Sequence, residues 1–284
     1  MNRRDFIKAS SPILALLANG QIVQATEGIL ADWKKKKLVL RFAVASDGHY
    51  GQPNTAYQQY STDLVDRINA VHSKTPFNFA MINGDIVHDD KKYFPEIKSI
   101  LDKLNMKYYV SQGNHDHIDA AGWESIWNMP TNLSFTIRKT SFLIGTSSDE
   151  SGKYLCPDIE WFTKELEKHQ SQKNIFIFIH INPAKLTPHA VDCKEWTVLL
   201  KKYPNVRAVF NGHDHDHDSI KVHEGINYIF DAHYGGNWGT NYRGFRVVEL
   251  YSDNSIVSYI LDPVNRLNNV EMKQERNEVV RTES

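Results

Sequence analysis

The sequence predicts an α/β fold built on an open sheet, and three observations predict it. Apolar runs of strand length alternate with stretches whose apolar residues recur at helical spacing. In the first half of the chain, helical stretches separate the runs, as in parallel βαβ units. Polar residues follow directly after several runs, and an open α/β sheet gathers its ligands at the carboxyl ends of its strands.

Strands and helices alternate regularly up to residue 116. The run LVLRFAVA at 38–45 predicts a first, largely buried strand. Leu64, Val65 and Ile68 share one face of a helix, which we predict over 57–73. The same patterns predict strands at 77–82 and 108–110 and a helix at 92–105.

The rest of the chain combines short strands with two helices. Strands at 133–137 and 141–146 are close enough to pair through a turn, and Pro157 and Asp158 favour the first turn of a helix over 157–169. The remaining predicted elements are a helix at 194–202 and strands at 175–179, 206–210, 220–222, 228–230, 245–250 and 256–260, of which the last four are expected to be antiparallel.

The composition is that of one large domain. The chain has 284 residues, and no repeat or linker divides residues 26–264, so we predict a single domain there. Residues 265–284 are polar and charged and predict a loose tail or a surface arm. The net charge is −1, from 33 basic and 34 acidic residues. This balance lacks the basic footprint of a nucleic-acid binder, so we expect no nucleic-acid partner.

Residues 1–25 have the composition of an export signal. An Arg-Arg pair precedes a modest apolar stretch at 13–18, and small residues allow signal cleavage after Ala25. The order Arg-Arg-x-Phe-x-Lys resembles a twin-arginine signal, although Asn2 replaces the usual Ser or Thr. The stretch is too short to span a bilayer, and no Cys near Ala25 offers a lipid anchor. We expect export to a bacterial periplasm or the extracellular space without a stable membrane anchor. The alternative is a basic N-terminus without a targeting role.

The two cysteines, Cys156 and Cys193, leave two interpretations open. In an oxidising compartment they could form a disulfide. They could equally be independent thiols, because their separation in the sequence does not show whether their Cα atoms approach each other.

Five polar blocks follow strand-like runs. A single such block is usually a turn or a hydrogen-bonded loop, but here all five occur in order, each after a predicted strand. Their oxygen and imidazole groups suit Mn, Fe or Zn, and their number suggests two ions, which in turn suggest phosphoester hydrolysis. The blocks are Asp47-Gly48-His49, Gly84-Asp85, Gly113-Asn114-His115-Asp116, His180 and Gly212-His213-Asp214-His215.

The order D-x-H, G-D, G-N-H-D, H, G-H-x-H resembles the calcineurin-like metallophosphoesterases over nearly all of residues 38–215. The resemblance implies a four-layer α/β/β/α sandwich of two mixed sheets, with two divalent or trivalent metal ions (Mn, Fe or Zn). It implies that Asp47, His49, Asp85 and His215 hold the first ion. It implies that Asp85, as a bridge, holds the second ion together with Asn114, His180 and His213.

The same resemblance implies a mechanism. A hydroxide that bridges the two ions is the expected nucleophile, and His115 is the expected proton donor to the leaving group. Asp116 could accept from the other ring nitrogen of His115 and orient it; the alternative is that Asp116 only caps the loop.

Several other polar residues lie close to the blocks in the sequence. We expect His88, Asp89, His117, Asp119 and His217 to support the site or to be exposed rather than to bind metal. A Gly-rich aromatic loop at 234–239 either forms a substrate wall or is an irregular connection between strands. The tryptophans at 123, 127 and 161 are expected in the core or at helix contacts.

The predicted function is therefore a metal-dependent phosphodiesterase or phosphatase acting on a small phosphoester. The D-x-H block is similar to that of class III cyclic-nucleotide phosphodiesterases. It differs from purple acid phosphatases, because Tyr50 follows His49 directly and no metal-binding Tyr has the expected spacing. The alternatives are an exported metal- or carbohydrate-binding protein on an inactive phosphoesterase scaffold and, against the charge balance, a nuclease.

Overall fold

The computed structural model describes residues 36–231 and 233–261, together with the backbone at 14–16 and 22–24. The predicted tail at 265–284 lies outside the described residues, as does most of the predicted export segment. None of the helices described has the length and apolar character needed to cross a bilayer.

The described strands form two mixed sheets. The first sheet has the order β2-β1-β13-β12-β3-β4-β5, and the second has the order β10-β11-β9-β8-β7-β6. The strands are β1 (Leu14–Leu16), β2 (Ile22–Gln24), β3 (Leu38–Ala45), β4 (Phe79–Asn83), β5 (Tyr108–Ser111), β6 (Leu133–Ile137), β7 (Thr140–Gly145), β8 (Asn174–Ile179), β9 (Val206–Asn211), β10 (Ile220–His223), β11 (Ile226–Phe230), β12 (Phe245–Tyr251) and β13 (Ile256–Leu261).

Parallel strands form the centre of each sheet. In the first sheet β3, β4 and β5 run parallel, and β12 lies antiparallel beside β3. In the second sheet β7, β8, β9 and β11 run parallel, with β6 and β10 as antiparallel edges. The last four strands are antiparallel within each pair, as predicted, but the two pairs belong to different sheets.

Helices cover the outer face of each sheet, and the two inner faces pack together. Three helices pack on the first sheet, and two pack on the second. Between the sheets lies an aromatic core in which Phe42 stacks on Phe79 at 5.0 Å and meets Phe176 and Phe210 edge-on. The predicted four-layer α/β/β/α sandwich is therefore confirmed. The helices are α1 (Tyr57–Lys74), α2 (Phe94–Leu101), α3 (Ala120–Trp127), α4 (Ile159–Lys168) and α5 (Lys194–Leu200).

Two helices differ from the sequence prediction. The stretch predicted as a helix over 92–105 begins as a 3₁₀ turn at Lys91–Tyr93, and α2 starts only at Phe94. Pro95 explains that start, because the first turn of a helix does not need its missing N–H. Helix α3 was not predicted. Its N-cap is Asp119, whose carboxylate accepts from Gly122 N at 2.6 Å, and it ends at a left-handed Asn128.

Cys156 and Cys193 form a disulfide, with their Cα atoms 5.4 Å apart. The bond joins the segment that precedes α4 to the residue that precedes α5. It decides between the two interpretations that the sequence left open, in favour of the pair.

Candidate metal centre

The five polar blocks meet where the carboxyl ends of the two sheets come together. The loops after β3, β4 and β5 supply the first three blocks, and the loops after β8 and β9 supply the other two. Because these strands run parallel within each sheet, their carboxyl ends lie along one edge. The site therefore draws on both sheets, with blocks as distant as residues 47 and 215 side by side.

Unusual backbone conformations place the side chains. Four residues predicted as metal ligands have a positive φ: Asp47 (60°), His49 (45°), Asp85 (50°) and His213 (68°). Such values are uncommon for residues other than glycine and cluster at functional sites. Hydrogen bonds between the blocks hold these turns, since His49 N donates to Asp85 O at 3.0 Å and His213 N donates to Asp47 Oδ1 at 3.0 Å.

The predicted ligands form two compact sets. The first group, defined as Asp47, His49 and His215, has one ligand atom from each residue within 4.8 Å of the others. His215 Nε2 lies 3.0 Å from Asp47 Oδ1 and 3.0 Å from His49 Nε2. The three side chains are almost fully buried. Imidazole nitrogens that converge in this way are better placed to bind one shared cation than to hydrogen-bond with each other.

The second group is defined as Asp85, His180 and His213, again within 4.8 Å of one another. His180 Nε2 lies 3.0 Å from Asp85 Oδ2, and His180 Nδ1 donates to Asn83 O at 2.7 Å, which orients the ring. Asp85 Oδ2 is also 3.7 Å from His49 Nε2 of the first group. Asp85 therefore lies between the two groups, where a bridging carboxylate would be.

One buried atom tests whether the residues fit a cation. Asn114 Oδ1 is buried and has no hydrogen-bond partner among the described residues. Buried polar atoms are nearly always paired, because an unpaired one is costly. Asn114 is predicted to bind the second ion, so the donor set of the second group fits a divalent cation there.

Opposite charges keep the two carboxylates ionised in spite of their burial. Burial alone would raise the pKa of Asp47, but His215 and His180 outweigh it and hold that pKa below its usual range. The pKa of Asp85 is lowered in the same way, with His180 as the strongest neighbour. Burial opposes charge on His180, yet the two carboxylates raise its pKa to about 10, whereas burial lowers the pKa of His213 to about 4. A cation bound here would displace the His180 proton.

His115, the predicted proton donor, lies at the mouth of the site. Its ring packs edge-on against His49, 4.9 Å between centroids, and its side chain is partly exposed. Its backbone N donates to Asp85 Oδ1 at 2.9 Å, which ties it to the second group. Its ring Nδ1 donates to Asp89 Oδ1 at 2.6 Å. Since Nδ1 is engaged, Nε2 is the nitrogen that can serve a leaving group.

The predicted role of Asp116 as the residue that orients His115 is wrong in this structure. Asp116 is fully buried, and its carboxylate accepts from the backbone N–H groups of Ile86, Val87 and Gly113 at 2.8 to 3.0 Å. Burial and the nearby Asp85 raise the pKa of Asp116 to about 7, although the backbone hydrogen bonds act in the opposite direction. Asp116 holds the second and third blocks together, and Asp89 takes the orienting position.

The other residues near the blocks divide into supporting and remote ones. His88 Nδ1 lies 3.0 Å from His49 Nδ1, so His88 fixes the ring of a predicted ligand. His117 lies 3.8 Å from Asp89, while Asp119 caps α3. His217 pairs with Asp216 at 2.8 Å and does not belong to either group.

The loop at 234–239 packs directly against the predicted ligands. Gly235 N donates to Asp47 O at 3.0 Å, and a Cβ at Gly235 would come within 1.8 Å of Gly48 O, so only glycine allows this approach. Trp238 stacks on His215 with centroids 4.3 Å apart. Of the two interpretations of this loop, the structure favours a wall of the site.

Sequence reasoning missed two residues beside the centre. Tyr154 packs edge-on against His213 with centroids 5.1 Å apart, and buried His233 stacks on His215 at 4.9 Å. No local pattern marks Tyr154, which follows no strand. His233 stands one residue before the Gly-rich loop, and that position was the available indication.

Similar folds occur among known structures. A dimetal phosphatase from Danio rerio has a TM-score of 0.63 at 15% identity and covers 79% of this chain and 96% of its own. A purple acid phosphatase from yellow lupin seeds has a TM-score of 0.60 at 11% identity, and the match covers 92% of this chain and 58% of the phosphatase. GAP50, the anchor in the inner membrane complex of Plasmodium, has a TM-score of 0.59 at 15% identity, covering 84% and 91%. At these identities the likeness shows a shared fold.

Comparison with curated proteins gave no match. The family model of calcineurin-like phosphoesterases matches residues 40–217, which contain all five blocks. This match spans more than half of the chain and agrees with the sandwich fold and with the two groups of predicted metal ligands. The chain belongs to the calcineurin-like phosphoesterases, a family of metal-dependent hydrolases of phosphoesters.

Proposed function

We propose that this protein hydrolyses small phosphoesters, as a phosphodiesterase or a phosphatase, with two cations. The observation that carries the proposal is the place of Asp85 between the two groups. The first ion would be held by Asp47, His49, Asp85 and His215, and the second by Asp85, Asn114, His180 and His213. Mixed nitrogen and oxygen ligands suit Mn, Fe or Zn. Such an ion pair supplies a hydroxide nucleophile near neutral pH and neutralises phosphoryl oxygens.

The chain's own residues supply the remaining steps. His115 Nε2 gives its proton to the alkoxide as the phosphoester bond breaks, a contribution of about 10²–10⁴-fold in rate. Asp89 Oδ1 lies 2.6 Å from His115 Nδ1, which fixes the orientation of the ring. His88 holds His49 from the side away from His215. The proton donor and the ligands are therefore fixed before substrate binds.

The test is hydrolysis of a chromogenic phosphodiester and a chromogenic phosphomonoester by protein loaded with Mn, Fe or Zn. Asn114→Ala and His180→Ala should lose metal and turnover together, whereas His115→Ala should keep metal and lose turnover. His217→Ala is the matched control, since His217 belongs to the same His-rich run but to neither group. Turnover that survives both ligand substitutions and chelation contradicts the proposal. Tight metal uptake without any hydrolysis favours the alternative of a metal-binding protein on an inactive scaffold.

We also propose that the substrate is small and is met outside the cytoplasm. A net charge of −1 gives little attraction for a polynucleotide. The Arg-Arg-x-Phe-x-Lys segment supports export, and the disulfide is of the kind that persists in oxidising compartments. Expression in a bacterium with a twin-arginine pathway, followed by fractionation and N-terminal sequencing, tests this. A mature protein that begins at Thr26 outside the cytoplasm is expected, and full-length protein confined to the cytoplasm contradicts it.

A further inference from the structure

Exposed aromatic side chains flank the metal centre. Tyr154 and Trp238, which we call the aromatic pair, are each 42% exposed. Across the described residues, four large apolar side chains are at least 40% exposed, and the aromatic pair accounts for two of them. Tyr154 contacts His213 of the second group, and Trp238 contacts His215 of the first. The pair therefore stands beside both halves of the centre, where the part of a substrate next to the phosphoryl group must lie.

Trp238 is held in place before any substrate arrives. Its indole is nearly parallel to the His215 ring, at 9° and 4.3 Å, and its centroid is 4.7 Å from that of His49. His233 anchors the loop at both ends, since its Nδ1 lies 2.7 Å from Gly235 O and its Nε2 lies 3.2 Å from Thr240 O. A rigid aromatic surface loses little entropy on binding.

Tyr154 is held by its own loop. Leu155 N donates to Ser147 O at 2.8 Å, and the disulfide at Cys156 fixes the chain two residues beyond Tyr154. Asp149 closes the loop from the other side by accepting from Lys153 N at 3.0 Å. Tyr154 thus comes from a segment between β7 and α4, and Trp238 from a segment between β11 and β12, so neither residue depends on the other.

We propose that the aromatic pair binds the organic part of the substrate, and that this part carries a flat ring, as in a nucleotide or an aryl phosphoester. The inference rests on the proposed function, because it assumes that the phosphoryl group lies at the metal centre. A flat ring fits because exposed, immobile aromatic faces bind other flat rings by stacking and bind flexible chains less well. Tyr154 and Trp238 are in this sense specificity-determining residues.

The test compares three phosphonates that share one charged group and are not hydrolysed: phenylphosphonate, cyclohexylphosphonate and methylphosphonate. Isothermal titration of the metal-loaded protein should rank phenyl tightest. Tyr154→Ala and Trp238→Ala should each weaken phenylphosphonate binding by about 5- to 150-fold, the range expected when a stacking platform is removed. Trp238→Phe should recover most of the affinity. Val198→Ala, an equally simple truncation of an exposed apolar residue on α5, is the control.

Equal affinities for the three phosphonates overturn the proposal, as do alanine variants that bind phenylphosphonate within about twofold of the wild type. Metal content is measured for each variant, because Trp238 contacts His215. If Trp238→Ala loses metal, the Tyr154→Ala and Trp238→Phe titrations decide. A ring preference in binding without hydrolysis of either a phosphodiester or a phosphomonoester contradicts the proposed function and leaves the aromatic pair supported. Hydrolysis without a ring preference contradicts the aromatic pair alone.

Discussion

Substitution of Asp116 tests whether its carboxylate stabilises the fold or takes part in catalysis. In the folded protein, Asp116 Oδ1 accepts from Ile86 N and Val87 N, and Oδ2 accepts from Gly113 N. Asp116→Ala leaves three buried N–H groups without an acceptor. Each such group costs about 1–3 kcal/mol, so the three together cost roughly 3–9 kcal/mol. Water that enters the vacated space, and relief of the repulsion from Asp85, offset part of this cost.

We expect the free energy of unfolding of Asp116→Ala to fall by about 3–5 kcal/mol, a large effect for one substitution. For a domain of this size, that corresponds to a melting temperature roughly 6–20 °C lower. Asp116→Asn keeps the shape and one acceptor oxygen but turns an amide N–H₂ toward Gly113 N, so about 1–3 kcal/mol is expected. Thermal unfolding followed by circular dichroism, on metal-loaded and on metal-stripped protein, measures both.

The competing hypothesis makes a different prediction. If Asp116 oriented His115, its loss would lower kcat in assays run well below the melting temperature. It would leave the free energy of unfolding nearly unchanged. A melting temperature of Asp116→Ala within about 2 °C of the wild type, combined with a large loss of kcat, would refute the structural role.

Three further predictions follow from the same geometry. Asp89→Asn should lower kcat by about 10- to 100-fold with little change in melting temperature, because it replaces a charge-assisted hydrogen bond to His115 with a neutral one; an unchanged kcat contradicts this, and Asp90→Asn at the neighbouring, partly buried aspartate is the control. Cys156→Ser and Cys193→Ser should each lower stability by about 2–4 kcal/mol, since the bond closes a loop across a separation of 37 residues; equal melting of oxidised and reduced wild type speaks against it. Chelation should lower the melting temperature and metal should restore it, because bound metal raises the free energy of unfolding by about 4 kcal/mol at a concentration 1,000 times Kd. A melting temperature that is the same with and without metal would show that the centre binds no ion.

The strands and the polar blocks were predictable because both are local patterns. A buried strand is a short apolar run, and each block stands immediately after one, so strand ends and candidate ligands emerge together. The eleven predicted strands are all present, with ends within about two residues of the predicted ones, whereas β1 and β2 were not predicted because residues 1–25 were assigned to an export signal. Helix α3 was missed, although Asp119 as an N-cap and the spacing of Trp123 and Trp127 indicate it in retrospect.

Contacts between distant residues were not predictable in the same way. Asp116 follows His115 directly, which made it the natural partner, but the turn points the two side chains in different directions. The His115 ring meets Asp89 instead, 26 residues earlier in the chain. The same limit applies to Tyr154 and to the order of the strands within each sheet, since no local pattern predicts that β12 lies beside β3.

The position of β12 has a consequence for where this domain can be divided. The family match ends at residue 217, and every predicted ligand lies before that point. The antiparallel neighbour of β3, however, is β12, from the stretch that follows. A polypeptide truncated at the family boundary would keep all of its predicted ligands. The strand that leads to Asp47, β3, would then be unpaired on one side and could pair with another polypeptide. The predicted ligands of this chain therefore end at an earlier residue than the strands that its first sheet needs.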